Sequence, residues 1–86
     1  MDDWGWAEEL TADEIREDCP DPDQVVSARY WHRIRNGFRD SRYHGIVARY
    51  RDRDPAFGVR LEGPWSWLDA ANEEAALERF LASSDA

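Results

Sequence analysis

Between Arg29 and Leu61 the chain reads YWHRIRNG, YHGIVARYR and AFGVRLEG, three stretches rich in aromatic and β-branched residues, separated by turn formers. This pattern constrains the fold most. Val, Ile, Tyr, Phe and Trp suit a pleated, half-buried surface, and Asn36-Gly37 and Asp52-Arg53-Asp54-Pro55 supply chain reversals. The reading is three antiparallel strands over about 28–35, 43–51 and 56–62, with a polar loop at 39–42. In the third strand Phe57, Val59 and Leu61 share one side.

The segment 22–36 has a second reading. Val26, Ala28, Tyr30, His32 and Ile34 alternate with Ser27, Arg29, Arg33 and Arg35, as in a strand. Val26, Tyr30, Trp31 and Ile34 also fall at helical spacing, and Pro22 suits a first helical position. The alternative to the strand is therefore a helix from Pro22 to Asn36, giving an ααββα order.

The flanks read as helical. Thr11 and Glu14 form a capping-box pair, with Leu10 and Ile15 as the staple around it, and Pro20 stops this short helix near Cys19. Asp21-Pro22 opens one further turn. After Gly63-Pro64, the residues Ala70, Ala76, Leu77, Phe80 and Leu81 mark an amphipathic helix from about Asp69 to Leu81. Residues 1–9 read as an acidic arm and 83–86 as a frayed tail. The expected fold is α+β: a small three-stranded antiparallel sheet, covered on one face by the C-terminal helix, with a short capped helix before it. Eighty-six residues make one domain. Its eleven aromatics help a small core, at roughly 1.5–3 kcal/mol for each large side chain fully buried.

Charge is distributed unevenly. Residues 1–24 hold ten acids and one Arg, 25–60 hold nine Arg and three Asp, and 61–86 hold six acids and one Arg, which gives −9, +6 and −5 and the total of −8. There is no lysine, a bias that a GC-rich coding sequence accounts for. The lone Cys19 rules out an internal disulfide framework, and no run of apolar residues reaches membrane length. A reduced, cytoplasmic setting is the expectation, with no membrane association.

No phosphate loop, metalloprotease helix, nucleophile elbow or redox pair is present. His32, His44 and Cys19 lack metal-ligand spacing. No catalytic residue, metal site or cofactor is expected. Binding remains, with two candidate surfaces. The first joins acids free of helix-start duties to two exposed-looking indoles: Asp2, Asp3, Trp4, Trp6, Glu8, Glu9, Glu17 and Asp18. Such a surface fits the basic groove of a nuclease, polymerase or repressor. The second is an outer sheet face of Trp31, Arg33, Arg35, Tyr43, Val47, Arg49, Arg51 and Arg60, pointing away from the C-terminal helix. Arginines among aromatics suit single-stranded nucleic acid. Net negative charge disfavours this second reading. Trp65 and Trp67 read as core anchors.

As a class, short acidic chains without catalytic motifs look like stoichiometric inhibitors, such as phage-encoded antagonists of host defence nucleases and immunity or antitoxin proteins. The leading expectation is a non-enzymatic inhibitor of a larger basic protein, acting by nucleic-acid mimicry as a monomer or weak homodimer. The alternative is a nucleic-acid-binding module.

Overall fold

The computed structural model describes residues 3–35 and 37–84, and the side chains of residues 3, 35, 39–44 and 84 lie outside the description. The elements run β1 (Asp3–Glu9), α1 (Ala12–Asp18), a 3₁₀ turn (Pro22–Gln24), β2 (Val25–Arg35), β3 (Phe38–Tyr50), β4 (Phe57–Arg60), β5 (Ser66–Leu68) and α2 (Glu73–Ser84). All strands are antiparallel and follow chain order, forming a five-stranded sheet β1-β2-β3-β4-β5. The α+β class and the C-terminal helix stand as expected. The three-stranded sheet is corrected to five strands.

Each added strand comes from a segment read otherwise in the sequence. Residues 3–9, expected as an arm, pair with β2 from Asp3↔Ile34 to Glu9↔Arg29. Ser66–Leu68, which holds the expected core anchor Trp67, is the short far edge. The segment 22–36 resolves against the helix, because β2 pairs on both sides and satisfies its backbone groups in two ladders. β3 starts at Phe38, so the expected 39–42 loop is strand backbone. Gly37 takes a positive φ of 79° in the tight reversal between β2 and β3. Residue 36 of that turn lies outside the described residues.

The helix termini follow their chemistry. Thr11 accepts the Glu14 N–H and the Glu14 carboxylate accepts the Thr11 N–H, completing the predicted capping box. α2 starts at Glu73, four residues later than expected, because Asn72 caps it by accepting the Ala75 N–H at 2.9 Å. It continues to Ser84, into the stretch read as tail; residues 85 and 86 lie outside the description.

The sheet is covered on both faces. α2 lies on β3, β4 and β5. Beneath it are Trp31, Val47, Phe57 and Val59 with Ala76 and Leu77, edged by Trp4, Trp6, Leu68, Phe80 and Leu81. The opposite face holds Leu10, Cys19, Ala28, Ile46, Ala48 and Tyr50, packed with Ile15 of α1 and with Trp65 and Trp67. The expected register put Trp31 and Val47 outside. That assumed one buried face, as a half-covered antiparallel sheet would have. Here Val47 pairs with Val59, so the two share a side, and both are fully buried under α2.

Two glycines let indoles lie flat on the sheet. Gly45 is the cross-strand partner of Trp31, and a methyl group there would overlap the indole. At Gly58 an added Cβ would stand 2.9 Å from Trp67 Cζ3 and 3.0 Å from Trp65 Cε3. Replacing Gly45 with Ala should therefore cost at least about 1–3 kcal/mol through overpacking, read as a lower urea midpoint at unchanged slope. Leu77→Ala, which empties a fully buried site under α2, should cost about 2–5 kcal/mol in the same measurement.

Candidate functional site

The acidic surface forms where β1 ends and α1 begins. Glu8 and Glu9 are exposed at the end of β1, Asp13, Glu17 and Asp18 are exposed on α1, Asp21 precedes the 3₁₀ turn and Asp23 lies within it. The sequence itself produces this outward display. The apolar residues Leu10, Ile15 and Cys19 turn to the sheet, which leaves the intervening carboxylates in water.

Several of these acids have internal partners. Asp13 is paired with Arg16, and Asp21 with Arg53 at 3.4 Å. The Tyr30 hydroxyl donates to Glu14 Oε2 at 2.9 Å and lies 3.5 Å from Asp18 Oδ2. Those bonds hold α1 against β2. Hydrogen bonding from the Thr11 backbone, then from Tyr30, lowers the Glu14 pKa below its ordinary value. Burial, reinforced by Glu14, raises that of Tyr30. Glu8, Glu9 and Glu17 make no ion pair among the described residues.

The indoles expected beside these acids lie elsewhere. Trp4 and Trp6 are half-buried on the α2 side of the sheet, with ring centroids 5.1 Å apart at 82°. Arg29 donates to the Ala7 carbonyl and places its guanidinium 5.2 Å from the Trp6 ring centre. The first predicted site is thus divided between the two faces. Asp2 lies outside the described residues, as does the side chain of Asp3.

The second predicted surface is not one face. Trp31 is fully buried and meets Phe80 edge-on at 6.1 Å. Arg33 is half-buried and Arg49 is exposed. Arg60 lies on the opposite side, 6.0 Å from the Trp65 ring centre. Arg51 donates to the Asp23 carbonyl beyond the end of β3. The side chains of Arg35 and Tyr43 lie outside the description.

Sequence reasoning missed the role that the arginines play as plates over aromatic rings. Arg53 lies 3.4 Å from the Trp67 ring centre, above a group in which Tyr50 meets Trp67 edge-on at 5.0 Å and Trp65 stacks on Trp67 at 24°. Such contacts contribute about 0.5–1 kcal/mol at exposed sites. Only the spacing of Arg53 from Trp67 in three dimensions shows this, since thirteen residues separate them in the chain.

Cys19 is buried, and loss of solvation, aided by Asp18, pushes its thiol pKa up to about 11. At neutral pH it is a packed thiol, not a nucleophile. His32 is buried on the face opposite α2; the side chain of His44 lies outside the description. Among the described residues no three His, Cys, Asp or Glu side chains gather at one point. A depression of about 210 Å³ is lined by Ser66, Leu68, Phe80 and Ser83, with no titratable group among the described residues. No described helix is long and apolar enough to cross a membrane. Comparison with family models, curated proteins and solved structures finds no match.

Two measurements follow from these environments. Cys19 should react slowly with a chromogenic disulfide reagent at pH 8 in the native protein and rapidly in urea; equal rates would contradict its burial. Because the folded pKa of Glu14 is lowered, its stabilising contribution is present above its unfolded value near 4.5 and is lost as pH falls through the folded value. Glu14→Gln should therefore flatten the acid limb of stability against pH, compared by urea midpoints at pH 7 and pH 3.

Proposed function

We propose that this chain is a non-enzymatic binding protein that inhibits a larger, basic, nucleic-acid-handling protein through the carboxylates at the β1–α1 end. The observation that carries this reading is the exposure of Glu8, Glu9 and Glu17 without ion-pair partners among the described residues. Their neighbours Asp13 and Asp21 are already answered by Arg16 and Arg53. Carboxylates left over from internal pairing are those that an external cation meets first.

Charge at this edge favours a fast, salt-sensitive encounter with a positive groove and rejects neutral partners. Carboxylates on a strand end and on the helix after it supply the sign of charge that a phosphate-binding groove accepts. This is the basis for reading the mode as nucleic-acid mimicry of the anti-defence or immunity type. The half-buried state of Trp4 and Trp6 removes them as free anchors, so the contact is chiefly electrostatic.

The test is affinity capture at low salt from lysate of the cells that produce the protein, beside the triple variant Glu8→Gln, Glu9→Gln, Glu17→Gln. The expected partner is basic, is displaced by added polyanion, and associates with the variant at least tenfold more slowly in a binding trace. A partner held equally by the variant, or one indifferent to polyanion, would overturn the reading.

A further inference from the structure

The two edges of the sheet are finished differently. β1 carries the exposed Glu8 and Glu9, its register breaks between Trp6 and Glu9, and its Ala7 carbonyl accepts from the Arg29 side chain. Charge and irregularity blunt an edge against further pairing, and the Arg29 bond occupies a main-chain acceptor. β5 has none of these guards. Ser66, Trp67 and Leu68 are uncharged and pair in unbroken register with Val59, Gly58 and Phe57. Among the described residues no strand lies on the outer side of β5. The depression of about 210 Å³ lies between this strand and α2, lined by Ser66 and Leu68 from one and by Phe80 and Ser83 from the other. Its walls are held in place. Phe80 meets Trp31 edge-on, and Leu68 pairs with the buried Phe57. Arg79 donates to the Asp69 carbonyl at 2.8 Å, which ties the exit of β5 to α2.

An open strand edge beside an apolar hollow suits an extended chain. Its backbone continues the ladder, and one of its side chains enters the hollow. Small-molecule sites hold about 300–1,000 Å³, so this smaller space fits a single aliphatic side chain. Charge narrows the occupant further. Residues 66–84 hold Asp69, Glu73, Glu74 and Glu78 against Arg79, a local charge of −3. Arg53 and Arg60 lie on the opposite face, with Trp67 and Trp65. The α2 side of this edge is therefore negative and favours a basic chain. The same charge opposes edge-to-edge pairing with a second copy, and it repels nucleic acid.

We propose that the β5 edge binds an extended basic peptide segment of a partner protein, which adds a strand to the sheet and seats one aliphatic side chain between Leu68 and Phe80. β5 and β1 form opposite edges of the sheet, so this contact and the one at the β1–α1 end can fail separately.

The test is a titration of the full chain, labelled with nitrogen-15, with the acetylated peptide KKVTLTVKK at low salt, followed by amide chemical shifts. In an extended peptide the two valines and the leucine share one side, and the lysines flank them. The amides of Ser66–Leu68 and of Phe80 to Ser83 should move, and those of Glu8 and Glu9 should stay. Replacing the peptide's leucine with alanine should weaken binding roughly tenfold. Replacing its lysines with glutamates should weaken binding at low salt, and less so at high salt. Ser83→Trp fills the depression from the exposed last turn of α2 and should abolish binding, with the fold checked by far-UV circular dichroism. Glu8→Gln, Glu9→Gln and Glu17→Gln together should leave binding unchanged. The proposal is overturned by no shift at low salt, by equal binding of the alanine peptide, by unaltered binding to Ser83→Trp, or by shifts centred on β1. Shifts at β5 that depend on protein concentration without peptide would also overturn it, since they assign the edge to a second copy.

Discussion

The fold depends on how one indole is seated. Trp31 has no exposed surface and lies across the neighbouring strand over Gly45, where no side chain intervenes. A pleated sheet gives such room only where a glycine occupies the cross-strand position. Once Trp31 and Gly45 are opposite each other, the register of the central pair is set, and Val47 falls opposite Val59 on the same side. A slip of one residue would send Trp31 to the other face. α2 then has one surface to cover, and Leu77 and Ala76 complete it.

Much of the local structure is legible in the chain, because local structure has local causes. Thr11 and Glu14 announce α1, Pro20 ends it, and the spacing of Ala76, Leu77 and Phe80 reveals α2. What the sequence hides is decided by partners distant along it. In 22–36 both periodicities fit, and only pairing with β1 and β3 selects the strand. Residues 3–9 are acidic, which masks a strand whose Trp4 and Trp6 serve its inward side. The direction of the central strands is hidden for another reason: both faces are buried, so alternation does not distinguish an inside from an outside. Trp31 among arginines reads as a surface residue, yet only its arginine neighbours approach solvent.

The same difficulty affects the functional surfaces. The acidic edge is legible as composition, but which carboxylates remain unanswered depends on Arg16, Arg53 and Tyr30 reaching particular partners. The arginines are harder still to read. Arg29, Arg53 and Arg60 each lie over a tryptophan ring. A planar guanidinium can cover a ring and still donate at its edges, which an ammonium cannot. The absence of lysine thus has a structural counterpart in this fold, beside any codon bias.

The pairing of the tryptophans also gives the protein two built-in optical labels. Trp4 crosses Trp6 at 82° on the α2 face, while Trp65 stacks on Trp67 at 24° on the face covered by α1. Coupled indoles held in fixed relation give near-ultraviolet dichroism that vanishes when packing loosens, even if strands and helices persist. Because the two pairs differ in geometry, their bands differ in shape, and the loosening of one layer of the sandwich can be followed apart from the other without attaching a probe.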